Sequence, residues 1–431
     1  MTATHSFIPP LHARISLVLA GLALLAVACG GSEASDQLSA AEEAATVPQP
    51  TAAEPTSEPI TEPASAPDPT AAPVPTAVPA PTAEPTPQPV APPATFSERG
   101  PYAVGVTTRS LGDRDVEVWY PVDPELVDGQ PTETFDALTA FPETLRVIVP
   151  LELSGEYDTL AFRDAAALPE AFPVLIYGHG FGGYRQIATH FTSHLASWGY
   201  VVVSADHLER GIAEQTLDLV GSGLFDESNS RPDAAVDDVR NTIDLLGVLS
   251  TEGLLAGAMD LDRLAISGHS AGAWAAVQFA ATEPDRIDGW ISISGGTRDG
   301  LALTQPGLIV IGELDAVVPA ERSYELFETA GVALSLLNIQ GAGHNSFTDP
   351  CRGIADLGGL GALTALLGEE QVARAEDGCT SGATEPEVAQ AMVNHVTVAW
   401  LNTLFNISMT GDPLAVEVVA GLGPLEDYRP N

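Results

Sequence analysis

Lysine is absent from these 431 residues: all 17 basic residues are arginine, against 58 acidic ones, for a net charge of −41. Such a balance excludes nucleic acid and anionic lipid headgroups as main partners, because a phosphate array repels it. Cysteine is scarce too. The three residues Cys29, Cys351 and Cys379 form no C-x-x-C pair, so neither a thiolate zinc site nor a dithiol redox centre is expected. His190 and His194 stand four apart, but the run His190-Phe191-Thr192-Ser193-His194 lacks the glutamate of a metalloprotease helix, and no metal is expected there. The apolar stretch Ile15–Val27 has about thirteen residues, short of the ~20 that span a bilayer. Aromatic residues are missing between Pro48 and Pro93, where 16 of 46 residues are proline. That segment cannot bury enough apolar surface to offset its ordering entropy.

What is present at the N-terminus reads as an export signal. Arg14 supplies the positive flank of the apolar stretch, which ends Leu25-Ala26-Val27-Ala28-Cys29-Gly30. Residues 1–29 read as a lipoprotein-type signal: small residues before a lone cysteine resemble the bacterial lipobox, which implies that Cys29 is lipidated and becomes the mature N-terminus. Residues 30–97 then read as a disordered Pro/Ala/Thr/Glu-rich linker; in polyproline II at ~3.1 Å per residue its proline-rich part reaches on the order of 150 Å. The expected location is the cell envelope, with the domain lipid-anchored to the outer face of the membrane. Export also makes a Cys351–Cys379 disulfide the expected state of the other two cysteines.

Residues 98–410 alternate short apolar runs with helical stretches, and 411–431 read as a C-terminal tail. Val116–Tyr120 alternates like an edge or half-exposed strand, whereas Phe172–Tyr177, Tyr200–Ser204, Arg263–Ser267, Gly307–Gly312 and Ala333–Leu337 are nearly continuous apolar runs. Helical stretches fall around 184–198, 234–250, 271–282, 320–330 and 386–405. This order predicts one α/β domain with a doubly wound, mostly parallel sheet, whose site lies beyond the carboxyl ends of the strands.

At one strand-to-helix seam stands Gly268-His269-Ser270-Ala271-Gly272, the G-x-S-x-G pattern of a nucleophile elbow, where glycines permit a turn tight enough to expose the serine hydroxyl. A serine needs a base, and the base an oriented carboxylate. Downstream histidines are His344, in the loop Gly341–Asn345 after a strand, and His395, inside an amphipathic helix; His344 is the expected base and His395 a packing residue. Asp315, after the strand Gly307–Gly312, is the expected acid, with Glu313 and Asp299 as rivals. Gly178-His179-Gly180-Phe181-Gly182-Gly183 follows a strand like an H-G-G-G oxyanion loop. A phosphate loop is the rival, but no lysine follows. The N–H groups of Phe181 and Ala271 are the expected oxyanion donors, each worth about 3 kcal/mol to the transition state. Tyr184, Trp274 and Phe347 are candidate pocket walls, residues 346–385 a candidate cap, and His207 a shaping residue near the site.

With these residues in hand the chain resembles the α/β-hydrolase superfamily over about 300 residues, and within it the platelet-activating-factor acetylhydrolase and dienelactone-hydrolase-like esterases. The segments that carry the resemblance are Gly100–Val106, Val118–Pro121, His179–Arg185, His194–Val202 and the Ser270 elbow. The resemblance implies an α/β-hydrolase fold with a small cap insertion and cofactor-free hydrolysis of small-molecule esters with short or modest acyl groups, by a protein expected to be a monomer. In the acetylhydrolases the acid follows the strand after the nucleophile helix, where this chain has Ser294-Gly295-Gly296; Asp315 matches the dienelactone hydrolases and cutinases instead. The alternatives are a polyester or cutinase-like hydrolase, a phospholipid acetylhydrolase, and a catalytically silent surface-binding lipoprotein.

Overall fold

Ten strands form one sheet whose central members are apolar on both sides, with helices between them. The computed structural model describes residues 94–147, 156–222, 232–296 and 300–431. The export signal with Cys29, almost all of the proline-rich linker and the rival acid Asp299 lie outside the described residues. In chain order the strands are β1 (Ala103–Leu111), β2 (Arg114–Val122), β3 (Thr134–Asp136), β4 (Glu156–Asp158), β5 (Phe162–Arg163), β6 (Phe172–Gly178), β7 (Val201–Ala205), β8 (Met259–His269), β9 (Gly289–Ile293), β10 (Gly307–Gly312), β11 (Leu334–Ile339) and β12 (Leu425–Arg429). The large sheet runs β12-β11-β10-β9-β8-β6-β7-β2-β1-β5, and β3 and β4 pair separately. From β7 to β11 every neighbouring pair is parallel. Strands β1 and β2 form an antiparallel hairpin at one end, and β12 pairs antiparallel with β11 at the other.

Helices α1 (Thr189–Ser197), α2 (Ile212–Ser222), α3 (Pro232–Leu249), α4 (Ala271–Thr282), α5 (Ala320–Thr329), α6 (Asp349–Leu357), α7 (Glu369–Glu376), α8 (Pro386–Leu404) and α9 (Val416–Ala420) complete the frame. One face of the sheet packs Leu175, Val202, Ile291 and Val310 against Phe191 and Leu195 of α1 and Val393 and Trp400 of α8. The other packs Ile176, Val203, Ile266 and Ile309 against α3, α4 and α5 through Leu246, Val277, Phe279 and Leu326. Parallel strands covered on both faces explain why these segments read as unbroken apolar runs. The doubly wound α/β fold is therefore as expected.

The domain limits differ from the sequence reading. Residues 411–431 are not a tail: they supply α9, with Val419 buried, and edge strand β12, whose Tyr428 hydroxyl donates to the Leu414 carbonyl at 2.9 Å. Strand β12 is short and charged (Leu425–Arg429), as suits an edge, so its sequence carried little strand signal. At the other boundary Phe96, ahead of 98, is buried in the core beside Trp198 and His395.

Candidate active site

The carboxyl ends of β6, β8, β10 and β11 bring the expected residues to one end of the sheet. After β8, Ser270 adopts φ +55° and ψ −120°, a left-handed backbone at the start of α4. Its N–H is tied to the Ile293 carbonyl of β9 at 2.9 Å. The glycines explain why the turn closes. A Cβ on Gly268 would stand 2.3 Å from the Gly272 carbonyl carbon, and one on Gly272 would stand 2.0 Å from the Gly178 oxygen. Any side chain at either position would push strand and helix apart.

After β10 and β11 come Asp315 and His344, both buried. His344 Nδ1 donates to Asp315 Oδ2 at 2.9 Å, which leaves Nε2 as the basic nitrogen of the ring. The other Asp315 oxygen accepts the Val317 and Val318 N–H groups at 3.0 and 2.7 Å, so the carboxylate cannot rotate away. The rival Glu313 is exposed and accepts the Gly341 N–H at 2.9 Å; it braces the histidine loop from outside. His395 is a packing residue as read: it accepts the Phe96 N–H and donates to the Pro413 carbonyl, both at 2.9 Å.

The loop after β6 crosses directly over the serine. A Cβ on Gly180 would lie 3.0 Å from Ser270 Cβ. Among the described residues neither the Phe181 N–H nor the Ala271 N–H donates to a protein acceptor, and the latter belongs to the first turn of α4, where helix N–H groups have no intrahelical partner. The loop is held from behind. His179 donates through Nδ1 to the Gly180 carbonyl at 2.8 Å and accepts the His207 N–H on Nε2 at 3.0 Å. Arg210, fully buried, donates to the His179 carbonyl at 3.0 Å and to Glu209 at 2.7 Å. His207 donates to Asp238, whose other oxygen takes Arg114 at 2.5 Å. His207, Glu209 and Asp238 form the cluster among the described residues that could hold a cation, but guanidinium groups already occupy both carboxylates. Burial pushes the His179 and His207 rings well below the usual histidine range, so both stay neutral.

Ser270 and His344 line a cleft of about 650 Å³ together with Phe181, Tyr184 and Ile187. Tyr184 stacks on Phe135 with ring centroids 5.5 Å apart. Two of the expected wall residues lie elsewhere. Phe347 is buried in the core under β10 and β11, and Trp274, half-buried on α4, is outside the lining. Both were chosen as aromatics close in sequence to the site, and helix phase turned them away from it. Segment 346–385 does form a cap: Pro350, Ile354, Leu357 and Leu360 line the cleft, and Cys351 and Cys379 are joined in a disulfide across it.

Several contributors escaped the sequence reading. Ala137, Phe141, Glu156 and Tyr157 form the opposite wall, from a segment with no strong periodicity. His269, the second residue of the elbow, donates through Nε2 to the His344 carbonyl at 2.8 Å. Burial first, and the neighbouring His344 second, push its ring down to about 3, so it stays neutral. Its only sequence signal is its place beside the serine.

A model of platelet-activating factor acetylhydrolase, isoform II, matches residues 99–218, and one of the dienelactone hydrolase family matches residues 159–373. The protein named "Putative esterase NocK" of Nocardia uniformis subsp. tsuyamanensis is 27% identical over 237 residues, which are 54% of this chain and 60% of that protein. The platelet-activating factor acetylhydrolase of Cavia porcellus is 22% identical over 373 residues, covering 73% of this chain and 78% of its own. Among solved structures, a ferulic acid esterase from Streptomyces cinnamoneus superposes with a TM-score of 0.50 at 23% identity, over 73% of this chain and 92% of that one, which speaks to the fold. Sheet order, strand-end site and these matches together show an α/β-hydrolase fold, in a chain similar to the esterases of the platelet-activating factor acetylhydrolase and dienelactone hydrolase families.

Proposed function

We propose that the protein is a serine esterase that hydrolyses carboxylic esters with short or modest acyl groups through an acyl-enzyme. The observation that carries this reading is the meeting of Ser270, in a left-handed elbow, and the buried His344–Asp315 pair in one cleft. Ser270 Oγ attacks the ester carbonyl while His344 Nε2 takes its proton. The oxyanion lies on the Phe181 and Ala271 N–H groups. Collapse expels the alcohol, which takes the proton back from His344; a water molecule then repeats the sequence and releases the acid. Asp315 holds the imidazole in the tautomer that leaves Nε2 basic. The cleft volume suits an ester of drug size. Replacing Ser270 by Ala and following p-nitrophenyl acetate and butyrate tests the reading: at least about a thousandfold loss of kcat supports it, and unchanged hydrolysis refutes it.

The Cys29 pattern and the proline-rich segment support an exported domain held on a lipid anchor by a stalk, and the disulfide suits an oxidising compartment. Fractionating cells that express the Cys29→Ser chain checks this. Release from the membrane fraction is expected, and unchanged retention would count against the anchor.

A further inference from the structure

Asp377 stands two residues before Cys379, in the segment closed by the disulfide, and its carboxylate reaches into the base of the site. Oδ2 accepts the Ala316 N–H at 2.8 Å and Oδ1 accepts the His344 N–H at 3.3 Å. Its own carbonyl accepts the Asn345 N–H at 2.9 Å. Ala316 directly follows Asp315, so one carboxylate joins the main chain at both members of the buried pair. The approach depends on missing side chains: a Cβ on Gly343 would lie 2.3 Å from Asp377 Oδ1, and one on Gly378 would lie 2.6 Å from the Gly343 nitrogen. Gly378 also takes φ +82°, which favours glycine.

We propose that Asp377 is a positioning residue: it locks the acid-bearing loop after β10 and the base-bearing loop after β11 at the spacing that keeps His344 on Asp315. The Cys351–Cys379 bond fixes the segment from which it acts. The inference rests on the reading of Ser270, His344 and Asp315 as the reacting set. The two loops leave different strands, so their relative position is set by such cross-links, and N–H bonds to a carboxylate are about twice as strong as neutral ones. A shift of about 1 Å at a reacting group lowers turnover by about a hundredfold.

The test uses the full chain with Asp377→Asn, Asp377→Ala and, separately, Ser270→Ala. Asn keeps the shape but turns an NH2 towards one of the two N–H donors; Ala removes both acceptors. Rates of p-nitrophenyl butyrate hydrolysis are corrected for the folded fraction, read from circular dichroism and melting. With geometry at stake, kcat falls about 10-fold for Asn and about 100-fold for Ala, with KM within about twofold of the parent. A folded Asn variant with parental kcat overturns the proposal, as does a loss that follows the unfolded fraction alone. If the Ala variant does not fold, the Asn variant decides. The Ser270→Ala arm separates the two readings. If it stays active, the assignment of the site is wrong; if it is dead while the Asp377 variants turn over normally, only the bridge is wrong.

Discussion

At Ser270 the backbone spends strain to present a hydroxyl. A non-glycine residue at φ +55° costs on the order of 1–3 kcal/mol and persists because its surroundings over-determine it. Here those surroundings are the Ile293 carbonyl on its N–H and three glycines, 180, 268 and 272, at which the chain passes close by. Gly272 has the least room, since the obstructing atom is the Gly178 carbonyl oxygen and cannot swing aside. Gly272→Ala is therefore expected to destabilise the fold by about 3 kcal/mol or more, an overpacking cost at the upper end of its usual range, and urea unfolding measures it. A change under about 1 kcal/mol would show that the elbow has slack. The serine, its acid and its base were legible at this scale because each sits on a short motif after an apolar strand. His269 and Asp377 were not, because each acts on the main chain of His344, and main-chain bonds from distant residues leave no spacing pattern.

At the scale of elements, the central strands and most covering helices followed from hydrophobic period, whereas β1 and α2 did not. Strand Gly307–Gly312 coincides with its apolar run, and α4 begins directly after the serine. Also missed were elements without a buried period: the charged edge strand β12, the wall residues Ala137, Phe141, Glu156 and Tyr157, and the division of segment 346–385 into α6 and α7. The cap hides its core in a small cluster of its own, Cys351, Ile354, Leu360, Leu363, Val372 and Cys379. So small a cluster gives little stability by itself, and the disulfide supplies the rest. It closes a sequence separation of 28. Replacing both cysteines by serine is expected to cost about 2–4 kcal/mol and to unfold the cap ahead of the sheet, which hydrogen exchange resolves by segment. Equal protection of the cap with and without the bond would contradict this. Asp349 anchors the same cap from its other end, accepting the Thr189 and His190 N–H groups at 2.5 and 3.1 Å at the start of α1.

Across the whole molecule the shortage of positive charge is met by placing arginines where they count. Arg185 joins Glu117 and Asp206 behind the oxyanion loop, and Arg114 and Arg210 neutralise Asp238 and Glu209 beneath it. Five histidines are used in the opposite way, buried and neutral. Burial lowers His179, His207 and His395, and takes His194 down to about 4 and His269 to about 3. A histidine lowered in the folded state binds its proton first in the unfolded chain. Its stabilising effect is complete above the unfolded value of about 6.5 and is lost as pH falls below it. At pH 5 each of His194 and His269 withdraws about 2 kcal/mol on that scale. The melting temperature should therefore drop steeply between pH 7 and pH 5 despite a net charge nearer zero. A flat profile over that window would show that these rings are not held neutral by the fold.

The central claim is that Ser270 is the attacking group, and reaction of the intact protein with a fluorophosphonate, followed by mass spectrometry of the digested chain, tests it most directly. The predicted result is a single phosphonyl adduct on the peptide that contains Ser270, absent in the Ser270→Ala variant and much slower to form in Asp315→Ala. An unlabelled protein that still hydrolyses p-nitrophenyl esters, or an adduct on any other residue, would contradict the account.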